Sequence, residues 1–149
     1  MTDEQLLAFC DRSKLPLATP WTEGGWRYAT DGSICIRVPD PRGAVPDDLP
    51  RPAAFKLFDA FGKPEGAWQP WPHDPIYVNV DVKDVFGQVS RTVLRAEIGK
   101  RLIPAKYYQL CRGLSAVEWF DDSGAGRKPV AFRFNTVAGP GQGLVIGMQ

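Results

Sequence analysis

The sequence predicts an α+β domain in which a mainly antiparallel sheet carries two or three short helices. Three observations indicate this fold class: the helical patterns are short, the strand patterns come in adjacent pairs, and turn residues are frequent. Gly and Pro account for 15 and 14 of the 149 residues, so many turns must separate short elements. A chain of this length fits one domain spanning residues 1–149.

Three segments have the pattern of short helices, namely 3–12, 52–61 and 104–113. Thr2 is a good N-cap for the first, and Pro52 and Pro104 suit the first turns of the other two. Gly62 and Gly113 are expected to end the second and third. Their apolar faces consist of Leu6, Leu7 and Cys10; of Phe55, Phe58 and Phe61; and of Tyr107, Leu110, Cys111 and Leu114.

The clearest strand signal is the dipeptide Asp31-Gly32 between two β patterns, 26–30 and 33–38. A two-residue type I′ turn needs positive φ at both central positions, which Asp-Gly tolerates. The pairing that this turn predicts is Thr30–Ser33, Ala29–Ile34, Tyr28–Cys35 and Arg27–Ile36. One face then carries Ala29, Ile34, Ile36 and Val38, and the other carries Trp26, Tyr28, Cys35 and Arg37. On the second face we expect Arg37 to lie over an aromatic ring.

Five further segments read as strands: 76–82, 89–98, 116–120, 129–135 and 143–148. The first alternates strictly, with apolar residues at even positions, which is typical of a half-buried strand. In the last two we expect Val130, Phe132, Phe134, Leu144, Ile146 and Met148 to point inward. The glycine-dense run 139–143 lacks the lysine of a phosphate-binding loop, and its pattern favours a connection between strands.

Residues able to support catalysis or metal binding are few. His73 is the single histidine and sits in a proline-stiffened run, where a locally bonded imidazole is the simpler interpretation. The three cysteines with His73 would formally suffice for zinc, but Cys10, Cys35 and Cys111 are widely spaced and suit a core. Asp121-Asp122 precedes a glycine-rich turn and has no further acids nearby. We therefore expect no enzyme, no metal and no cofactor.

Composition and charge narrow the location and the partners. A 44% hydrophobic and 23% charged chain is globular, and a net charge of +1 argues against a basic tail or an acidic DNA mimic. The first residues are acidic and no run of about 18 apolar residues occurs, so neither a signal peptide nor a membrane span is expected. Unpaired cysteines suit a reducing compartment, which predicts a cytoplasmic protein.

Basic side chains on the predicted helices are the candidate nucleic-acid contacts. Lys106 and Arg112 fall on the outer face of the third helix, and Arg12 and Lys14 lie at the end of the first. Such a surface would track phosphates, each contact adding a salt-dependent increment. The alternative is that these residues form ordinary solvated helix faces.

Aromatic side chains are the candidate contacts for a protein partner, because Trp is favoured at binding hot spots. One set is Trp68 and Trp71 in a Pro/Gly-rich stretch. The other is the Trp26, Tyr28 and Arg37 face of the hairpin. The alternative for Trp68 and Trp71 is that they fold back as a lid over the core.

The second half of the chain resembles a domain of a bacterial DNA sliding clamp. The resemblance lies in RLIPAKYYQLCRGL (101–114), AVEWF (116–120), PVAFRFN (129–135) and GLVIGM (143–148), together with the hairpin YATDGSICIRV (28–38). It implies an antiparallel sheet with two helices on one side and helix faces directed toward DNA. The chain has room for one domain where a clamp subunit has three, and its end lacks the family's Met-Pro-Met-Arg pattern. The partner-peptide pocket of the family is therefore not carried over.

Two functions remain open at this point. The first is a non-enzymatic, DNA-associated accessory protein with a clamp-like domain, acting on duplex DNA and forming a homo-oligomeric ring or working without one. The second is a protein-binding module, of the kind encoded by phages or mobile elements, that engages or inhibits a host replication or defence complex.

Overall fold

The computed structural model describes residues 1–41, 49–61, 67–121 and 129–146, with residues 59–61 described by their backbone alone. These residues form helices α1 (Asp3–Leu7), α2 (Phe55–Phe61) and α3 (Ala105–Arg112) and a 3-10 turn at Leu15–Leu17. The strands are β1 (Trp21–Glu23), β2 (Trp26–Thr30), β3 (Ile34–Pro39), β4 (Trp68–Pro70), β5 (Ile76–Lys83), β6 (Val89–Ile98), β7 (Arg101–Pro104), β8 (Glu118–Phe120), β9 (Val130–Thr136) and β10 (Gly139–Val145). The fold is α+β with antiparallel strand pairing, which confirms the predicted class.

The strands form two sheets. Seven of them follow the order β1-β2-β3-β10-β9-β8-β4, and the other three follow the order β5-β6-β7. One face of the seven-stranded sheet packs on α1, α3 and the inner ends of β6 and β7, with Ala29, Ile36, Ile98, Tyr108 and Phe132 fully buried there. The other face packs on α2 through a smaller cluster of Trp21, Tyr28, Cys35, Ala54, Phe58 and Leu144. Helices α3 and α2 therefore lie on opposite faces of the seven-stranded sheet.

The hairpin at residues 26–39 forms, but the predicted register is wrong. Ala29 pairs with Ile36 and Thr30 pairs with Cys35, so the turn is centred on Gly32-Ser33. The cause is the Asp31 carboxylate, whose Oδ1 accepts the backbone N–H groups of Ser33 (2.8 Å) and Ile34 (3.0 Å). Of the two central turn residues, only Gly32 takes a positive φ (+95°), as a type II′ turn with glycine first requires. A shift of two residues leaves both predicted faces unchanged.

The run 139–143, predicted as a connection, belongs to strand β10. Gly141 pairs with Phe134 and Gly143 pairs with Phe132 on β9. A Cβ atom on Gly143 would lie 2.0 Å from the Phe132 ring, and one on Gly141 would lie 2.4 Å from the Phe134 ring. The two rings therefore occupy the space above these glycines. The glycine-rich run can form a strand because side chains of the paired strand β9 cover it.

The remaining predictions differ from the structure mainly at element ends. The strands at 76–82 and 89–98 are confirmed as β5 and β6, joined through a turn at Asp84–Gln88. The first helix ends at Leu7 and not at residue 12, and the second begins at Phe55 and not at residue 52. Val130, Phe132, Phe134 and Leu144 point inward as expected, whereas Ile146 is half-buried. Asp122 and Met148 lie outside the described residues.

Candidate functional site

The four predicted phosphate-contacting residues are all exposed, but the structure divides them between two places. Arg12, Lys14 and Lys106 lie on one side of the molecule, where the positive charges of Lys14 and Lys106 both act on Asp11. The pKa of Asp11 is lowered first by hydrogen bonds from Ser13 and then by these two lysines. The loop after α1 and the start of α3 therefore carry neighbouring cations.

Arg112, by contrast, lies at the far end of α3 and lines a different cavity. That cavity has a volume of about 410 Å³ and is bordered by Trp71, His73, Leu114, Phe134 and Asn135 among others. Lys106 and Arg112 are thus both on the outside of α3 without sharing one site.

Lys106 lines a cleft of about 580 Å³ between the hairpin turn, strand β6 and the start of α3. The hairpin contributes Gly32 and Ser33, α3 contributes Lys106 and Tyr107, and β6 contributes two arginines that the sequence analysis did not single out. These two residues are Arg91 and Arg95. We call the surface formed by Arg91, Arg95 and Lys106 the basic cleft.

The alternation of β6 sets the geometry of the basic cleft. Arg91 and Arg95 lie four residues apart on one strand, so their side chains leave the same face of the sheet. On the neighbouring strand β5 they are paired with Val82 and Val78. On its other side, Arg95 is paired with Pro104, the residue directly before α3, which brings Lys106 to the same cleft.

Arg95 has unusual surroundings for a guanidinium group. Its side chain is buried, with 3% of its surface exposed, and its buried Nη1 atom has no hydrogen-bond partner in the described part of the chain. Burial and the positive charge of Arg91 both lower the pKa of Arg95. Within the part of the chain that the structure describes, no carboxylate forms an ion pair with it. The basic cleft therefore contains a buried positive charge for which the described residues supply no counter-ion.

The acidic groups near the cleft are occupied by other contacts. Asp31 Oδ2 accepts the Tyr107 hydroxyl at 2.5 Å, while its Oδ1 accepts the two backbone N–H groups of the hairpin turn. Burial first, and then this contact with Asp31, raise the pKa of Tyr107. Asp11 is bonded to Ser13 in the same way. Asp31 thus holds Tyr107 and the hairpin turn, which line the cleft, and neither carboxylate forms an ion pair with Arg95.

The aromatic face of the hairpin is used within the fold. Arg37 lies over the rings of Trp26 (4.1 Å) and Phe58 (4.4 Å), which confirms the expected contact between this arginine and an aromatic ring. Its guanidinium also donates to Gln142 Oε1 and, at 3.3 Å, to the Tyr28 hydroxyl. Tyr28 is only 2% exposed, so the surface of this face consists of Trp26 and Arg37.

The two tryptophans of the Pro/Gly-rich stretch have different places. Trp71 is buried against Tyr108 and Phe132, as the lid interpretation expects, and its buried indole Nε1 has no hydrogen-bond partner among the residues that the structure describes. Trp68 is half-buried in β4, with Arg133 over its ring at 4.3 Å and Phe120 beside it. Trp68 is thus accessible to a partner at the surface, and Trp71 is not.

The cysteines and His73 lie in different parts of the molecule. Cys35 belongs to the smaller cluster, Cys111 to the larger core, and Cys10 is half-buried; all three are free thiols. Burial raises the pKa of each, that of Cys35 to about 12. Among the described residues, no three metal-ligating side chains come together.

Comparison with protein-family models, with curated proteins and with solved structures found no significant match to this chain. In the described part of the chain, no helix has the length and apolar character needed to span a membrane.

Proposed function

We propose that this protein is a non-enzymatic accessory factor that binds duplex DNA through the phosphate backbone, with the basic cleft as the contact surface. The observation that carries the proposal is Arg95, a buried guanidinium with an unpartnered Nη1 beside a second arginine. An unpaired buried charge is costly, and a bound phosphate would supply the missing counter-ion and hydrogen-bond acceptor.

The surroundings of the cleft fit an extended polyanion better than a single small anion. Arg91 and Lys106 are exposed at the cleft, and Lys14 and Arg12 continue the positive charge along the loop after α1. The chain as a whole carries a net charge of only +1, so its positive potential is local. The clamp-like sequence features support the same function, and the cytoplasm is the compartment we propose for it.

The test is fluorescence anisotropy of a labelled short DNA duplex over a series of salt concentrations. We expect affinity to fall steeply with salt, because each phosphate contact releases a condensed counter-ion. The variants Arg91→Gln and Lys106→Gln should each weaken binding and reduce the salt slope by about one contact. Both side chains are exposed, so neither change removes core packing.

Lys56→Gln provides the matched control. Lys56 is an exposed residue of α2, which packs on the opposite face of the seven-stranded sheet from α3. It should bind DNA as the wild type does. Binding that is absent, insensitive to salt, or equally weakened by all three variants would contradict the proposal.

A second candidate function, binding to another protein such as a host replication or defence complex, is favoured by the cavity beside Arg112. It has apolar walls from Leu114 and Phe134 and a cationic rim from Arg112, for which the structure shows no ion pair with a described residue. A peptide with an apolar and an acidic side chain fits this chemistry. Arg112→Glu should abolish capture of one defined partner from host lysate while Lys56→Glu keeps it; capture unaffected by Arg112→Glu would contradict this function.

A further inference from the structure

Strand β5 lies at an edge of the three-stranded sheet. Among the described residues its one hydrogen-bonded neighbour is β6, so the other side of Ile76–Lys83 has no strand beside it. The strand is eight residues long, contains no proline, and pairs regularly with β6 up to a register shift after Val82. Soluble proteins usually protect such long, regular edges, because they offer free backbone groups to another strand.

The apolar side chains of β5 are also incompletely covered. Ile76 is 64% exposed, and Val78, Val80 and Val82 are half-buried on the same face. An alternating apolar strand of this kind fits the addition of a further strand, which would bury side chains and pair backbone groups together.

We propose that β5 pairs antiparallel with β5 of a second copy of this chain, with the two-fold axis at Val80. In this register Val80 lies opposite Val80 of the second copy, and Val78 lies opposite Val82. The valines then form a continuous apolar ladder across the interface. A two-fold interface must be self-complementary, because each residue meets its own counterpart in reverse order.

The opposite face of β5 satisfies this requirement as well. The same register places Tyr77 opposite Lys83 and Asn79 opposite Asp81, giving a cation beside an aromatic ring and an amide beside a carboxylate. A shift by one residue would set Val78 against a polar side chain of the other face. A two-fold axis at Asp81 would set two carboxylates directly opposite each other, which is unfavourable.

The turn after β5 gives a further argument. Val85 and Phe86 at this turn are 93% and 84% exposed. The turn has its own hydrogen bonds, in which Asp84 Oδ1 accepts the backbone N–H groups of Phe86 (2.8 Å) and Gln88 (3.0 Å). The proposed register places Asp84 opposite Ile76 of the second copy, so the turn that carries Val85 and Phe86 lies next to the exposed start of the other strand.

The dimer would carry both basic clefts on one side. In the proposed register the valine faces of both β5 strands lie on the same side of one six-stranded sheet. Arg91 and Arg95 of the two copies, which are on that face, therefore leave the same side of the sheet. Dimerisation itself does not depend on DNA binding and is tested without DNA.

The first experiment is the solution mass by light scattering over a series of protein concentrations, from about 1 to 300 μM, to cover the affinity of a small interface. We expect the mass to rise from the 16.5 kDa of one chain to twice that value. Val80→Lys places two ammonium groups opposite each other and should keep the protein monomeric. Val137→Lys, at a fully exposed valine between β9 and β10, is the matched control and should still dimerise. A wild type that stays monomeric, or a Val80→Lys variant that still dimerises, overturns the proposal.

A cross-linking experiment tests the register even where Val80→Lys folds poorly. Opposite residues in antiparallel strands have Cβ atoms about 4.5–5.5 Å apart, close to what a disulfide needs. An oxidised mixture of Val78→Cys and Val82→Cys should give the mixed disulfide dimer, whereas each variant alone should cross-link no more than the wild type with its three cysteines. Absence of the mixed dimer, or equal cross-linking by each variant alone, overturns the register.

Discussion

Replacing Arg95 by methionine is the sharpest test of the basic cleft, because it separates stability from binding. The Arg95 side chain is 3% exposed, and none of the described residues forms a hydrogen bond with its Nη1 atom. A buried donor without an acceptor costs about 1–3 kcal/mol, and even replacing a complete buried ion pair by apolar residues is often stabilising by about 1–4 kcal/mol. Methionine keeps the apolar stem. We therefore expect Arg95→Met to raise the free energy of unfolding by about 1–3 kcal/mol.

The assay is urea denaturation followed by tryptophan fluorescence at low ionic strength, with and without inorganic phosphate. A ligand that binds only the folded state stabilises it by about 2.7 kcal/mol at one hundred times its Kd. Phosphate should therefore stabilise the wild type and have much less effect on Arg95→Met. The same variant should lose affinity for duplex DNA despite its greater stability.

Two results would refute this reasoning. If Arg95→Met were clearly less stable than the wild type without phosphate, the guanidinium would have a favourable role within the fold itself. If phosphate stabilised both proteins equally, the anion would bind elsewhere or act through a general salt effect. Arg91→Met serves as the control for charge, because Arg91 is exposed and its loss should change stability little.

Three further predictions concern the fold. Gly143→Ala should lower the free energy of unfolding by about 1–3 kcal/mol, since its Cβ would lie 2.0 Å from a buried ring. Gly113→Ala is the control: its Cβ meets nothing closer than 3.6 Å, so the same urea titration should show little change. Stability should fall as pH rises above about 9, because burial raises the pKa of Cys35 to about 12 and the unfolded chain then releases a proton that the folded chain keeps. The melting temperatures of the wild type and of Cys35→Ala, measured from pH 7 to 10, should therefore diverge. Parallel curves would contradict this prediction. Tyr107→Phe removes the 2.5 Å hydrogen bond to Asp31 and should cost about 1–2 kcal/mol in thermal unfolding, whereas an unchanged melting temperature would show that the bond contributes nothing.

Local patterns were sufficient to predict the longer strands, but they missed the short strands β1, β4 and β7 and did not show how the strands pair. The alternation of residues 76–82 and the two faces of the hairpin are confirmed, because a period of two is a property of each strand alone. The hairpin register depended on a side chain, since Asp31 captures the backbone groups that follow it. The dipeptide Asp31-Gly32 therefore predicts the hairpin at the right place in the chain but with the wrong pair of central turn residues.

The glycine-rich strand shows why sequence spacing fails when the reason for a residue lies on another strand. Within the sequence, glycine and proline at 139–143 look like turn residues. In the sheet, Gly141 and Gly143 make room for the rings of Phe134 and Phe132 on the paired strand β9. These contacts depend on how β10 is aligned with β9, so the sequence of residues 139–143 alone does not predict a strand there.

The basic cleft was predicted only in part, although its main residue did have a signal in the sequence. Lys106 was identified because it lies on the outer face of an amphipathic helix. Arg95 lies in a strand whose partner positions on β5 are valines, and a charge on the apolar side of such a strand conflicts with the fold. A residue that breaks the local pattern without an internal partner lowers stability, so its presence points to a binding role. Arg95, whose Nη1 has no hydrogen-bond partner among the described residues, is such a residue, which is why the proposal of anion binding rests on the position that the folding pattern explains least.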